Sequence, residues 1–225
     1  MPARLRPTAP IAPDAILVGD PGRALMLAQE LLRQPKMSNH ARGLWGYSGV
    51  TEAGDRLTVQ ATGMGGPSAS VVLHDLVELG VRRAVRVGTC AALGDFDLGD
   101  LVVVTAAERL RGSFVDEETT KEPRNEALPD PRLTKELFAR LGEQGRSGRV
   151  VSLDLLHGHH LDLGLSGDVA DMQTAALLET AARLGIAVAA LLLVSEAKSR
   201  ETLDDGAVEA GAKSAGRAAR DVLSS

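Results

Sequence analysis

Residues 57–79 read LTVQATGMGGPSASVVLHDLVEL. Leu57 to Thr62 is a short apolar-rich run that stops at Gly63, the pattern of a buried strand. Pro67 suits the first turn of a helix. Ala69 to Leu79 then carries apolar residues at helical spacing. Between the two lies a glycine-rich turn, Gly63-Met64-Gly65-Gly66-Pro67-Ser68. Strand, turn and helix in that order are the building unit of an α/β fold.

The unit recurs along the chain. Ala15-Ile16-Leu17-Val18 reads as a strand ending at Gly19, and Arg23 to Arg33 as the helix after it. Ala84 to Val87 is a third strand, ending in Gly88-Thr89. Leu101 to Thr105, Val150-Val151 and Ala187 to Val194 read as further strands, and Met172 to Leu184 and Ala207 to Leu223 as helices. Trp45 and Tyr47 alternate in a short strand after Arg42, a pattern of hairpin or subunit packing. The expectation is one α/β domain over residues 1–225, with a mixed, largely parallel central sheet flanked by helices. Residues 1–13 are expected to be a flexible segment. The charged, proline-containing stretch Arg111 to Arg132 reads as a surface excursion.

Composition narrows the function. With 44% hydrophobic and 24% charged residues, the 225-residue chain can bury a real core. A net charge of −5 argues against a non-specific nucleic-acid binder, so arginines near strand ends need a local explanation. Cys90 is the only cysteine, which excludes a disulfide framework and a cysteine-based metal site. Met1 to Pro13 lacks the apolar core of a signal peptide, and no apolar run reaches membrane-spanning length. These features lead us to expect a cytoplasmic enzyme or binding protein with no membrane partner.

Chemistry gathers where α/β folds bind ligands, beyond the carboxyl ends of strands. Gly19-Asp20-Pro21-Gly22-Arg23, Arg42-Gly43, the Gly63 turn and Arg86-Val87-Gly88-Thr89 all lie at or near such ends. Glycines let backbone N–H groups approach an anion, and arginines add a charged fork that suits phosphate. The Gly63 turn lacks both GxGxxG spacing and a Walker lysine, and by itself reads equally well as a tight turn with no ligand. Arg86 interrupts an apolar strand, where an unpaired charge is costly; a bound anion or a buried ion pair would each neutralise it. Thr89 could donate its hydroxyl to the same anion.

In order and spacing these pieces resemble the nucleoside phosphorylase superfamily, in particular its uridine phosphorylase and hexameric purine nucleoside phosphorylase branch. The likeness runs from Ile16 through Thr105, includes Leu98-Gly99-Asp100-Leu101-Val102-Val103, and returns at Asp171 to Val194. It implies a pentosyltransferase: phosphate attacks C1′ of a nucleoside, releasing the base and forming (deoxy)ribose 1-phosphate. It implies that Gly19, Arg23, Arg86 and Thr89 hold phosphate and that Arg42 reaches the phosphate of a neighbouring subunit. The minimal unit would then be a dimer, and relatives assemble as hexamers. Met64 would lie near phosphate and sugar. Inorganic phosphate would be co-substrate, with no cofactor.

The second half departs from the family pattern. Asp171-Met172-Gln173 stands where the sugar-binding motif is Glu-Met-Glu. An amide oxygen replacing a carboxylate that accepts from two hydroxyls loses about 1.5–3 kcal/mol, roughly ten- to a hundred-fold in binding. Glu196 stands where purine-specific relatives carry an aspartate, and could still serve as general acid. Leu156 or His157 occupies the place of a base-stacking aromatic, in a chain with only 2% aromatic residues. His157-Gly158-His159-His160 has no acidic or cysteine partner at metal-site spacing, so we expect no metal. The leading expectation is a nucleoside phosphorylase. The alternatives are a catalytically impaired nucleoside- or phosphate-binding homologue and a hydrolytic nucleosidase, the latter disfavoured by Arg86 and Thr89.

Overall fold

The computed structural model describes residues 4–110, 126–154 and 165–225. Ten strands form one mixed sheet: β1 (Asp14–Val18), β2 (Arg33–Asn39), β3 (Gly46–Val50), β4 (Arg56–Ala61), β5 (Arg83–Ala92), β6 (Leu101–Arg109), β7 (Glu126–Ala127), β8 (Gly145–Ser152), β9 (Val169–Asp171) and β10 (Ala187–Glu196). The helices are α1 (Pro21–Leu31), α2 (Gly65–Glu78), α3 (Pro131–Leu141), α4 (Thr174–Leu184) and α5 (Asp205–Leu223).

A parallel core, β4-β1-β5-β10, carries the site. Antiparallel β3 and β2 extend it on one side. On the other, β10 pairs antiparallel with β6, then β6-β8-β9 returns to the far end of β5, so these strands close on themselves. Side chains alternate across the core strands as a pleated sheet requires. Ile16, Val18, Val85, Val87, Leu191 and Leu193 face the layer of α1, α3 and α5. Ala15, Leu17, Ala84, Cys90, Leu192 and Val194 face the layer of α2 and α4.

Helix starts are set locally. Asp20, Asp130 and Asp204 each accept a backbone N–H three residues on, capping α1, α3 and α5, and Pro21 and Pro131 occupy first-turn positions. The sequence reading left α3 out, although Asp130-Pro131 and Leu133, Leu137 and Leu141 on one buried face mark it. Of the Arg111–Arg132 excursion, 111–125 lie outside the described residues; the remainder holds β7, paired with β6, and the start of α3.

The expected flexibility of residues 1–13 is corrected for 4–13. Backbone N–H groups of Arg4 and Leu5 donate to Asp75 Oδ2, that of Arg6 to Asn39 Oδ1 and that of Ala12 to Thr58 Oγ1. Leu5 and Ala12 are buried. Composition alone hid this, because the acceptors lie far away in sequence.

Asp75→Ala should therefore destabilise the protein by about 1–3 kcal/mol, since it strands two backbone donors. Urea unfolding measures this; an unchanged midpoint would mean that the N-terminal segment adds no stability.

Candidate active site

Arg86 lies on the α2/α4 face of β5, in line with Ala84 and Cys90. It is 4% exposed. Such burial of a guanidinium requires partners, and the N-terminal turn of α4 supplies them. Arg86 Nη2 donates to Asp171 Oδ2 at 2.9 Å, Nη1 to Gln173 Oε1 at 2.7 Å and Nε to Thr174 Oγ1 at 3.1 Å. Gly88, two residues along the same face, leaves room for this conformation. A Cβ there would stand 2.7 Å from Arg86 Nη2 and 2.8 Å from Leu192 Cδ2. The guanidinium thus lies over Gly88, toward the carboxyl end of β5.

Asp171 does two jobs. Its carboxylate accepts from Ser152 Oγ, the Gln173 and Thr174 N–H groups and Thr174 Oγ1, as well as from Arg86. It thereby caps α4, where negative charge is favoured by the helix dipole. Gln173 is equally committed. Oε1 also accepts from Thr62 Oγ1 at 3.0 Å, and Nε2 donates to the Gly63 carbonyl. Gly63 and Gly65 take left-handed φ values of 73° and 77°, which lets the turn present that carbonyl. The sequence reading put Asp171 and Gln173 on the sugar. Their side chains bind Arg86 and also line the space beside it, so both readings of Arg86 left open above meet here: it is ion-paired, yet still borders open space.

That space is a cavity of about 490 Å³. It brings together Gly19, Arg23, Arg86, Thr89, Met64 and Glu196, with Asp171, Met172 and Gln173 in its wall. Arg23, half-buried at the start of α1, uses its backbone N–H on Asp20 Oδ1. Burial lowers its pKa, Asp20 opposes the shift, and the charge of Arg86 adds to it. Arg23 and Arg86 thus bring two positive charges to one cavity. Glu196 pairs with Ala91, three residues beyond Gly88, across a bulge. At strand rise, this puts its backbone about 10 Å from the arginine end. Met64 is 87% exposed at the cavity edge.

One expected residue, assigned to a neighbouring subunit's site, lies outside this cavity. Arg42 sits in a 3₁₀ turn (Ala41–Gly43) at φ 60° and does not line the cavity. Leu156 and His157, with the histidine cluster that follows, lie outside the described residues. Among the described residues, His74, Asp75 and Glu78 bring possible ligand atoms within 4.8 Å of one another. They line a separate groove, where Asp75 already holds two backbone N–H groups. The sequence reading missed Thr62, Ser152 and Thr174 as supports, and Asp20 and Cys90 in the cavity wall. Their signal was position, beside glycine turns and strand ends. The Cys90 thiol is pushed up by burial and by the charge of Asp171, so it stays protonated.

A sequence model of the phosphorylase superfamily matches residues 13–225. The chain belongs to this superfamily. It is 32% identical over 202 residues to a DeoD-type purine nucleoside phosphorylase of Alkaliphilus metalliredigens, a match covering 83% of each chain. It is 33% identical over 198 residues to the one of Bacillus cytotoxicus, covering 83% of this chain and 82% of that one. The fold is similar to the crystal structure of purine nucleoside phosphorylase from Toxoplasma gondii in complex with immucillin-H, with a TM-score of 0.78 at 22% identity over 95% of this chain and 90% of that one. The single-domain α/β expectation is borne out by this likeness and by the sheet.

Within the superfamily fold, the Arg86–Asp171 pair is expected to carry stability as well as position. Asp171→Ala should cost about 3–5 kcal/mol, as removal of one partner leaves a buried charge alone. A loss below about 1 kcal/mol in denaturant unfolding would contradict the burial of this pair.

Proposed function

We propose that this protein is a nucleoside phosphorylase acting on a purine nucleoside, with inorganic phosphate as co-substrate and no cofactor. One observation carries the reading: two arginines, Arg23 and Arg86, line one cavity together with Glu196. Phosphate binds to Arg23, the free N–H groups of Arg86, the Thr89 hydroxyl and the Gly19 backbone. The purine class is supported by the names of the relatives.

Glycosidic cleavage develops positive charge on the sugar and negative charge on the departing base. Bound phosphate sits against the first and is itself the nucleophile at C1′. Glu196, at the far end, donates a proton to the base when protonated, acting as general acid. The roughly 10 Å between the two ends leaves room for a ribosyl group between phosphate and base. Met64 and Met172 close on the sugar. Arg42 completes the phosphate site of a neighbouring subunit, which makes a dimer the minimal unit and a hexamer the expected assembly. That assembly and a cytoplasmic setting rest on the family resemblance. Among the described residues no helix is long and apolar enough to cross a membrane.

The test is base release from a panel of purine and pyrimidine nucleosides and deoxynucleosides, with and without phosphate. Release that requires phosphate is the expected outcome, and Arg86→Ala should reduce it at least a hundred-fold, the scale of losing a preorganised charge at the reacting centre. Release without phosphate would identify a hydrolase. Stabilisation by nucleoside with no release from any substrate would identify a binding homologue.

A further inference from the structure

Gln173 carries an inference that rests on the phosphorylase reading but departs from the sugar role of its motif. An amide oxygen has two lone pairs. Gln173 Oε1 lies within hydrogen-bond distance of two donors, Arg86 Nη1 at 2.7 Å and Thr62 Oγ1 at 3.0 Å, the second a hydroxyl that also faces the Val18 carbonyl at 3.0 Å. The amide nitrogen donates to the Gly63 carbonyl at 2.5 Å. Flipping the amide would set N–H against N–H at Arg86 and oxygen against oxygen at Gly63, so the orientation is fixed. Gln173 is 4% exposed, with its oxygen turned to Arg86 and Thr62.

We propose that Gln173 is a positioning residue of the phosphate clamp and not the acceptor for the sugar diol. A guanidinium has five N–H groups. Three are fixed, one each by Thr174, Gln173 and Asp171, and each terminal nitrogen keeps one N–H for a ligand. This leaves a two-pronged fork, which matches two oxygens of a phosphate. Without Gln173 the guanidinium is held on one side only. The amide also donates to the Gly63 carbonyl, which a carboxylate cannot do.

The test compares wild type with Gln173→Leu and Gln173→Glu. Steady-state kinetics read KM for phosphate and KM for nucleoside separately, and the ratio of kcat/KM for a ribonucleoside to that for its 2′-deoxy analogue. Gln173→Leu should raise KM for phosphate about tenfold or more, the effect of one lost charge-assisted hydrogen bond, and Gln173→Glu, which keeps an acceptor for Arg86 but loses the donor to Gly63, should raise it by less. KM for nucleoside and the ribose-to-deoxyribose ratio should stay within about twofold, below the scale of a lost hydrogen bond. Thr62→Val, which removes only the outer donor, should shift phosphate in the same direction by less, and serves if a position-173 variant fails to fold. A changed ribose-to-deoxyribose ratio with unchanged KM for phosphate would overturn the proposal, as would better nucleoside binding in Gln173→Glu. Calorimetry with inorganic phosphate keeps the two claims apart. A wild type that binds phosphate but releases no base overturns the phosphorylase reading alone, and equal phosphate affinity in the variants overturns the role of Gln173. A wild type that binds no phosphate overturns both.

Discussion

A guanidinium buried in the middle of a parallel sheet is the constraint on which the site depends. Arg86 sits in a strand whose neighbours are apolar, and it is held there by Asp171, Gln173 and Thr174. The cost of removing that charge from water is several kcal/mol, so the surrounding structure must be built for it. The glycine at 88 opens the space, the N-terminal turn of α4 supplies the carboxylate, and the Gly63 turn orients the amide. Each piece is local, but they come from three parts of the chain that the sheet brings together.

The same network links stability to binding. Asp171 caps α4 and pairs with Arg86, so the helix that covers one face of the sheet is anchored to the group that faces the ligand. A phosphate in the proposed site would meet a guanidinium already fixed in direction, and its binding would spend little on ordering side chains. Met64 stays exposed at the cavity edge.

Much of this was legible in the sequence, for physical reasons. Apolar runs that stop at glycine mark buried parallel strands, and Gly19 and Gly63 follow the ends of β1 and β4, whereas β5 runs on past Gly88 to Ala92. Arg86 was conspicuous because charge is rare in such a run. Local signals also exposed the turn at Gly63, since positive φ favours glycine. What escaped depended on distant partners. The anchoring of Leu5 by Asp75 spans seventy residues, and the bond from Thr62 to Gln173 spans 111. Polar residues of this kind look ordinary until the fold pairs them. Gln173 shows the limit most clearly: its position in the motif suggested a sugar ligand, whereas its hydrogen bonds place it against Arg86. Helix α3 was missed for a different reason. Its apolar face is narrow, and the Asp130-Pro131 cap and Leu133, Leu137 and Leu141 announce it.

The account holds that Arg23, Arg86 and Thr89 form one anion site. The most direct measurement is an anomalous-difference map from crystals soaked in arsenate, which has the shape and charge of phosphate. The account predicts a peak within hydrogen-bond distance of both guanidinium groups and of Thr89 Oγ1. A fully occupied peak elsewhere in the cavity, or none beside Arg86 at saturating arsenate, would contradict it.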